Sequence, residues 1–487
     1  MRFPLISKMG AVGAVTLGLL WSLWSVQGIV HERQGRQQEA EQSVANSLAG
    51  SQTLLGPVLT RTCIETWVSF QEDDKGNRRA TSETETHVLR LPATQVQVDA
   101  EVGVSPRHRG MFKVNGYGVK ADVQARWADL GGLTLQPRQP GAEVRCQAPV
   151  LAVAVSDARG IRVAELRVNG QGVAVQSGSE QAHHARGFHA PLESVQVAAG
   201  AGLSVRLNLE LAGTRAFSMA PVADTTLVSL HGDWPHPSFG GRFLPSERAV
   251  RADGFDATWK VSSLASTASQ SWRMGQELCA PFGGSASGGV AFNPYLTPEL
   301  IEAAAASTAA DSACIETFGV SFIQPVNPYS LSDRATKYGL LFIVLTFVGV
   351  GLMEVMRRLR VHPIQYLLVG AALSLFFLLL VSLSEHLAFG WAYLAASAAC
   401  TVLLTFYGSF VLRGWVAGLG FGAAIGGLYG VLYALLQMEQ NALVLGSLLL
   451  FAVLSAVMVA TRQLDWYALL EQGALPPRGT AQSNGVV

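Results

Sequence analysis

The chain has 487 residues, 49% of them hydrophobic and only 14% charged, with 35 Lys and Arg against 35 Asp and Glu. That charged share lies well under the roughly 25% of a soluble protein, so part of the chain is built for non-aqueous surroundings and disorder is excluded. The length exceeds one ordinary domain, and zero net charge removes the basic footprint that draws proteins onto nucleic acid, so no nucleic-acid partner is expected.

The first element is an uncharged run of 22 residues from Met9 to Val30, preceded by Arg2 and Lys8 and followed by His31, Glu32 and Arg33. It is long enough to cross a bilayer. Trp21, Trp24 and the exit through Gln27, Gly28 and Ile29 do not match a small-x-small cleavage site, so residues 1–30 are read as an uncleaved transmembrane anchor. The Gln, Glu and Ala-rich stretch from Arg33 to Ser51 predicts a helical stalk.

After Pro57 the pattern changes to strands. Leu203, Val205, Leu207, Leu209 and Leu211 alternate with polar residues, as do Val96, Val98, Ala100, Val102 and Val104 and, more loosely, Val114 to Trp127. That period of two marks strands with one buried face, and Asn115-Gly116 and Asn169-Gly170 are turn signals between them. Residues 31–336 are therefore expected to form a large, mainly-β, antiparallel, sandwich-like domain, with 27 Lys and Arg against 30 Asp and Glu over 31–337.

Four of the five cysteines, Cys63, Cys146, Cys279 and Cys314, fall in this domain, where three pairings are open. Cys279 with Cys314 is favoured because the two bracket an Ala, Gly and Ser-rich insertion from Pro281 to Ser312, and Cys63 with Cys146 follows by elimination. Four buried thiols are the alternative. His183, His184 and His189 are a weak metal cluster, since adjacent histidines on a strand face opposite ways and no Cys or carboxylate stands at zinc-like spacing. His236 and Ser238 in the segment Asp233 to Phe239 offer a nucleophile and a base, but two prolines around Trp234 and Phe239 read more simply as a rigid corner. Asp157-Ala158-Arg159-Gly160 reads as a folding element held by an ion pair. The chain contains no P-loop, no Gly-x-Ser-x-Gly elbow and no His-Glu-x-x-His helix. No enzyme activity, cofactor or metal is expected.

Five apolar runs follow: Tyr338 to Met356, Pro363 to Leu383, Leu387 to Leu412, Trp415 to Leu436 and Ala442 to Ala460. They predict a C-terminal bundle of five transmembrane α-helices over 337–462 and a tail over 463–487. With the N-terminus inside, Arg2, Lys8, Arg357, Arg358, Arg360, Arg413, Arg462 and Arg478 are all cytoplasmic, whereas the short outer turns near Glu385 and Glu439 hold no Lys or Arg. This asymmetry places both termini in the cytoplasm and residues 31–336 outside it. Gly418, Gly422, Gly426 and Gly430 recur every four residues and predict the most tightly packed helix of the set. Asp333, Arg334 and Lys337 are expected at the outer membrane boundary, and Arg360 with His362 at the inner one. Glu354 is expected to pair with Arg357 or Arg358.

Asp157 to Ile161, Trp234 to Phe239, Asp333 to Tyr338, His362 to Gly370, Leu383 to His386 and Thr461 to Tyr467 occur in an order that resembles the CreD family of cell envelope integrity inner-membrane proteins. The resemblance implies a Gram-negative inner-membrane protein, induced by a sensor and regulator pair encoded beside it and associated with envelope stress, colicin tolerance and responses to β-lactams. It implies no catalytic residues. The Cys279 to Cys314 insertion and the neutral tail after Leu470 depart from the family pattern. The expected role is non-enzymatic envelope maintenance, with the lipid bilayer and an unidentified envelope protein or lipid as partners. A transporter or lipid-handling protein, and a tethered hydrolase using His236 and Ser238, are the alternatives.

Overall fold

A computed structural model describes residues 4–72, 78–279, 314–322, 328–356, 361–438 and 442–462. The chain divides into two compact units, Gln38–Pro325 and Met1–Gln37 with Val326–Val487. Helix α1 (Pro4–Ser47) is unbroken over 44 residues, so the expected anchor and stalk form one helix.

The β unit contains β1 (Gln52–Glu72), β2 (Arg78–Pro92), β3 (Gln95–Arg109), β4 (Phe112–Trp127), β5 (Glu143–Cys146), β6 (Val150–Val155), β7 (Ile161–Val168), β8 (Gln171–Val173) and β9 (Gln176–Ser177). Next come β10 (Gly187–Pro191), β11 (Leu203–Thr214), β12 (Ala216–Ala220), β13 (Thr225–Gly232), β14 (Ser238–Gly241), β15 (Glu247–Arg251) and β16 (Gly254–Ser262). Helix α2 (Ala268–Arg273) and β17 (Phe318–Ser321) complete the unit. One sheet runs β14-β17-β12-β1-β6-β10-β9, with β2 and β5 also on β1, and the other runs β15-β16-β13-β3-β4-β11-β7-β8. The pairing is mainly antiparallel, as expected, with two parallel pairs the sequence did not indicate, β1 with β12 and β3 with β13. Neither parallel pair is joined by a hairpin, so no tight turn dictates opposite directions.

The alternating residues of β3, β4 and β11 bury Val98, Val123, Leu207 and their neighbours between the sheets, against Leu151 and Val153 of β6 and Val320 of β17. β6 has no alternation because both its faces are covered. Its other face, Ala152 and Ala154, lies with Leu55 and Val58 in a small second core shared with Ala268 and Trp272 of α2. Cys63 on β1 lies opposite Cys146 on β5, and the two are joined by a disulfide, as are Cys279 and Cys314. The insertion from Pro281 to Ser312 lies outside the described residues.

The other unit adds α3 (Pro328–Lys337), α4 (Gly339–Met356), α5 (Pro363–Ser384), α6 (Phe389–Val411), α7 (Trp415–Gln437) and α8 (Ala442–Thr461). By length and composition α1, α5, α6 and α7 among the described residues can each cross a membrane, and α3 with α4, bent by 42° at their junction, are together long and apolar enough for a fifth broken span or a re-entrant loop. The sixth expected span corresponds to α8, whose apolar stretch is the shorter Gly446–Val459. The span expected to begin at Tyr338 is thus preceded by a further helix. At the bend a Cβ on Gly339 would stand 3.1 Å from Leu23 of α1 and 3.2 Å from Phe377 of α5, so the chain turns where three helices meet. A Cβ on Gly370 would fall 2.1 Å from Leu19, which seats α1 directly on α5.

Trp272 is 1% exposed and is the largest side chain of the small second core. Trp272→Ala is expected to destabilise the β unit by about 3–5 kcal/mol, read as loss of strand signal at lower temperature in thermal scans of the full chain.

Candidate functional site

Three places in the chain gather polar or small residues in defined geometry. In the first, Asp157 to Gly160 forms a single 3-10 turn between β6 and β7. The Asp157 carboxylate accepts from the Arg159 backbone N–H at 3.2 Å, from the Arg159 Nε at 2.9 Å and from the Gly50 N–H at 3.2 Å. The same guanidinium donates to the Asn46 carbonyl in the last turn of α1, where a cation satisfies an orphan acceptor and complements the helix dipole. Gln52 completes the knot: its Nε2 donates to Asp157 O at 2.8 Å and to Ala212 O at 3.2 Å, and its Oε1 accepts from the Asp157 N–H. A Cβ on Gly160 would stand 2.2 Å from Gln52 Nε2 and 2.3 Å from Ala212 O, so only glycine fits. The motif is a clamp that closes the end of α1 onto the β unit.

Hydrogen bonding from Arg159 holds the Asp157 carboxyl down to about 2. A carboxyl depressed in the folded state contributes stability that is complete above its unfolded pKa and is lost as pH falls through the folded one. The wild type is therefore expected to lose clamp stability between about pH 4 and pH 2. Asp157→Asn should show the deficit already at neutral pH and a smaller fall than the wild type across that window, measured as the midpoint of denaturant unfolding against pH.

The other sequence-level candidates in the β unit are dispersed. His189 Nδ1 meets Gly178 O at 2.7 Å and its Nε2 lies 3.2 Å from Glu180, while His184 Nε2 meets Gln276 O at 3.0 Å. Each ring serves a different local contact, and no group of three metal-ligating side chains forms among the described residues. Trp234 Nε1 donates to the His236 carbonyl at 2.9 Å and the two rings meet edge to face, which makes the Pro235–Pro237 segment a packed corner. Among the described residues no hydrogen bond joins His236 to Ser238. The second place is the outer face of the β3-β4-β11-β7 sheet, which carries two shallow polar grooves. Gln97, Gln124, Arg126, Arg167 and Arg206 line one of about 470 Å³, and Asp99, Glu101, Lys120, Asp122, Glu165 and Glu210 line another of about 550 Å³.

The third place is in the helical unit, where the glycine stripe of α7 packs unevenly against α6. A Cβ on Gly418 would stand 2.6 Å from Ser409, and one on Gly422 would stand 1.9 Å from the Thr405 hydroxyl. At Gly426 the nearest atom, on Thr401, is 3.7 Å away, and Gly430 faces open space. The two helices therefore touch at one end of the stripe and splay apart at the other. Gly418 and Gly422 thus lie close against α6, whereas Gly430 does not. The wedge between them is a groove of about 760 Å³ lined by Trp391, Tyr393, Leu394, Gly426, Tyr429 and Tyr433, among others. Tyr393 donates to Tyr429 O at 2.6 Å and its ring lies 5.0 Å from that of Tyr433. Sequence reading missed these tyrosines. The available signal was Gly426, Tyr429, Gly430 and Tyr433 at helical spacing on one face of α7.

At the boundary positions, Lys337 and Asp333 form an ion pair of 2.7 Å within α3, which also carries Arg334. Arg33 of α1 pairs with Glu385 at 3.2 Å, a partnership the sequence reading did not find. His362 caps α5: its ring accepts from the Ile364 N–H at 3.3 Å, and its own N–H donates to Gln365 Oε1 at 2.9 Å. Glu354 accepts from the Tyr366 hydroxyl at 3.0 Å and the Val361 N–H at 3.3 Å, so it ties α4 to α5. Arg357, Arg358 and Arg360 lie outside the described residues.

Gly422→Leu is expected to destabilise the helical unit by about 1–3 kcal/mol through overpacking, whereas Gly430→Leu is tolerated. Thermal unfolding of the two variants in the same detergent would separate them.

A family model described as Inner membrane protein CreD matches residues 4–467. The Inner membrane protein CreD of Escherichia coli strain K12 is 31% identical over 469 residues, covering 96% of this chain and 95% of that protein. Among solved structures, two of an M1 zinc metallopeptidase from Deinococcus radiodurans align with 34% of this chain and 38% of theirs. Their identity is 13% and their TM-scores are 0.19 and 0.18, a likeness too slight to carry any argument.

Proposed function

The chain belongs to the CreD family of inner-membrane proteins, and from that membership we propose that it supports cell envelope integrity under stress as a non-enzymatic, multi-pass platform. In this reading both termini lie in the cytoplasm, and the β unit is held in the periplasm at the end of α1. The observation that carries it is the Asp157–Arg159 clamp. A guanidinium that bonds the last turn of α1 and a carboxylate that bonds the chain just after it close the end of that helix onto the β unit. Two disulfides suit the β unit to an oxidising compartment. The polar outer face of the β3-β4-β11-β7 sheet is the surface offered to an envelope partner.

Deletion of the gene in cells where it is normally induced is expected to change envelope permeability and susceptibility to colicins and β-lactams. Wild-type values for all three would dispose of the proposal. The groove between α6 and α7 favours a second reading, lipid handling. That reading requires lipid beyond the annular layer to copurify with the protein, or a lipid to move in reconstituted vesicles.

A further inference from the structure

The β3-β4 hairpin outruns the sheet it belongs to. Its pairing continues to Arg109↔Phe112, but β11 leaves β4 at Gly116 and β13 leaves β3 at Val102. The free end closes in a two-residue turn whose first member, Gly110, has φ +59°, a conformation that suits glycine. Its charge is one-sided. From Val102 to Ala121 the sequence contains Arg107, Arg109, Lys113 and Lys120 and no Asp or Glu. Arg107, His108, Arg109 and Lys113 are all exposed, and none of the three permanent cations has a carboxylate partner among the described residues. Strand pairing sets Arg107 and Arg109 on one face of the ribbon and His108 with Lys113 on the other. Met111 at the turn is 47% exposed. The opposite end of the same ribbon carries Asp99, Glu101 and Asp122, so the cations are concentrated at the tip although the whole domain is slightly acidic.

The chain enters and leaves the β unit beside the base of this ribbon. Leu48, just past α1, lies 3.3 Å from the position of a Cβ on Gly116, and the Asn115 side-chain amide donates to Phe322 O at 2.8 Å. Leu48 follows the apolar run that ends at Val30 by 18 residues, and Phe322 precedes α3 by six. As helix, 18 residues rise about 27 Å, and the ribbon from Gly116 to Gly110 extends about 20 Å.

We propose that the Arg107–Lys113 tip docks on the anionic phospholipid head groups of the bilayer in which α1 is anchored. Guanidinium and ammonium groups on both faces of the ribbon meet phosphate, and Met111 enters the interfacial layer. The proposal concerns the membrane surface alone. It holds whatever envelope process the protein serves and whichever side of the bilayer the β unit occupies.

The test uses the full chain in nanodiscs of phosphatidylcholine and in nanodiscs of phosphatidylethanolamine with about a quarter phosphatidylglycerol. Backbone hydrogen exchange over 107–114 is expected to be about tenfold slower in the anionic discs, and the difference should vanish near 0.5 M salt. The variant Arg107→Glu, Arg109→Glu, Lys113→Glu should exchange at the faster rate in both. Amides of 119–125 in β4 report whether that variant folds, and Arg107→Gln, Arg109→Gln, Lys113→Gln replaces it if they lose protection. Equal exchange of the wild-type tip in the two kinds of disc, or slowing that survives salt, would overturn the proposal.

Discussion

The end of α1 is closed onto the β unit by one guanidinium. Arg159 bonds the last turn of α1 and the Asp157 carboxylate at once, while that carboxylate also takes the Gly50 N–H. Remove the guanidinium and a helix-end carbonyl and a depressed carboxyl each lose a partner, so substitution of Arg159 is not locally silent. Gln52 and Gly160 make the arrangement specific, one by spanning Asp157 and Ala212, the other by leaving no room for a side chain. The first strand begins at Gln52, so the same residue that closes the clamp also opens the sheet and sets its pairing with β12.

The parts of this architecture that were legible in the sequence are those governed by a single repeating physical demand. Twenty-two uncharged residues from Met9 require hydrocarbon, and alternation from Leu203 to Leu211 requires one dry face; both segments adopt the elements so implied. Features that depend on which element arrives opposite were not legible. The parallel pairing of β3 with β13 leaves no local trace, because each strand has the same alternation whichever way its neighbour runs. Gly370 looked like any helical glycine until Leu19 was found against it, and Arg33 and Glu385 are separated by most of the chain. Asp157 to Gly160 was readable as a folding element, but its target, Asn46, was not, since a helix-end carbonyl carries no residue-type signature.

The glycine stripe of α7 shows how one sequence signal can have two structural meanings. Small residues every fourth position permit close approach of a second helix but do not compel it along the whole stripe. Ser409 and Thr405 use the permission at Gly418 and Gly422. Beyond them α6 presents Tyr393, which bonds the Tyr429 carbonyl and stacks near Tyr433. Rings of that size fill the space between the helices and hold them apart, so the absence of side chains at Gly426 and Gly430 becomes volume rather than contact.

That volume has a chemical character set by what surrounds it. Tyr429 also lies 4.4 Å from Phe376 of α5 and 5.2 Å from Phe342 of α4, ring centre to ring centre, so the floor of the groove is anchored in the aromatic core of the unit. Its rim is different: Trp391 and Leu394 are 69% and 55% exposed. An aromatic floor with an apolar, open rim and no Asp, Glu, Lys, Arg or His among its lining residues suits a chain of hydrocarbon better than an ion, which would find no full charge to replace its water. Ion conduction through this groove is thereby a poorer reading than lipid contact, on the energetics of desolvation alone.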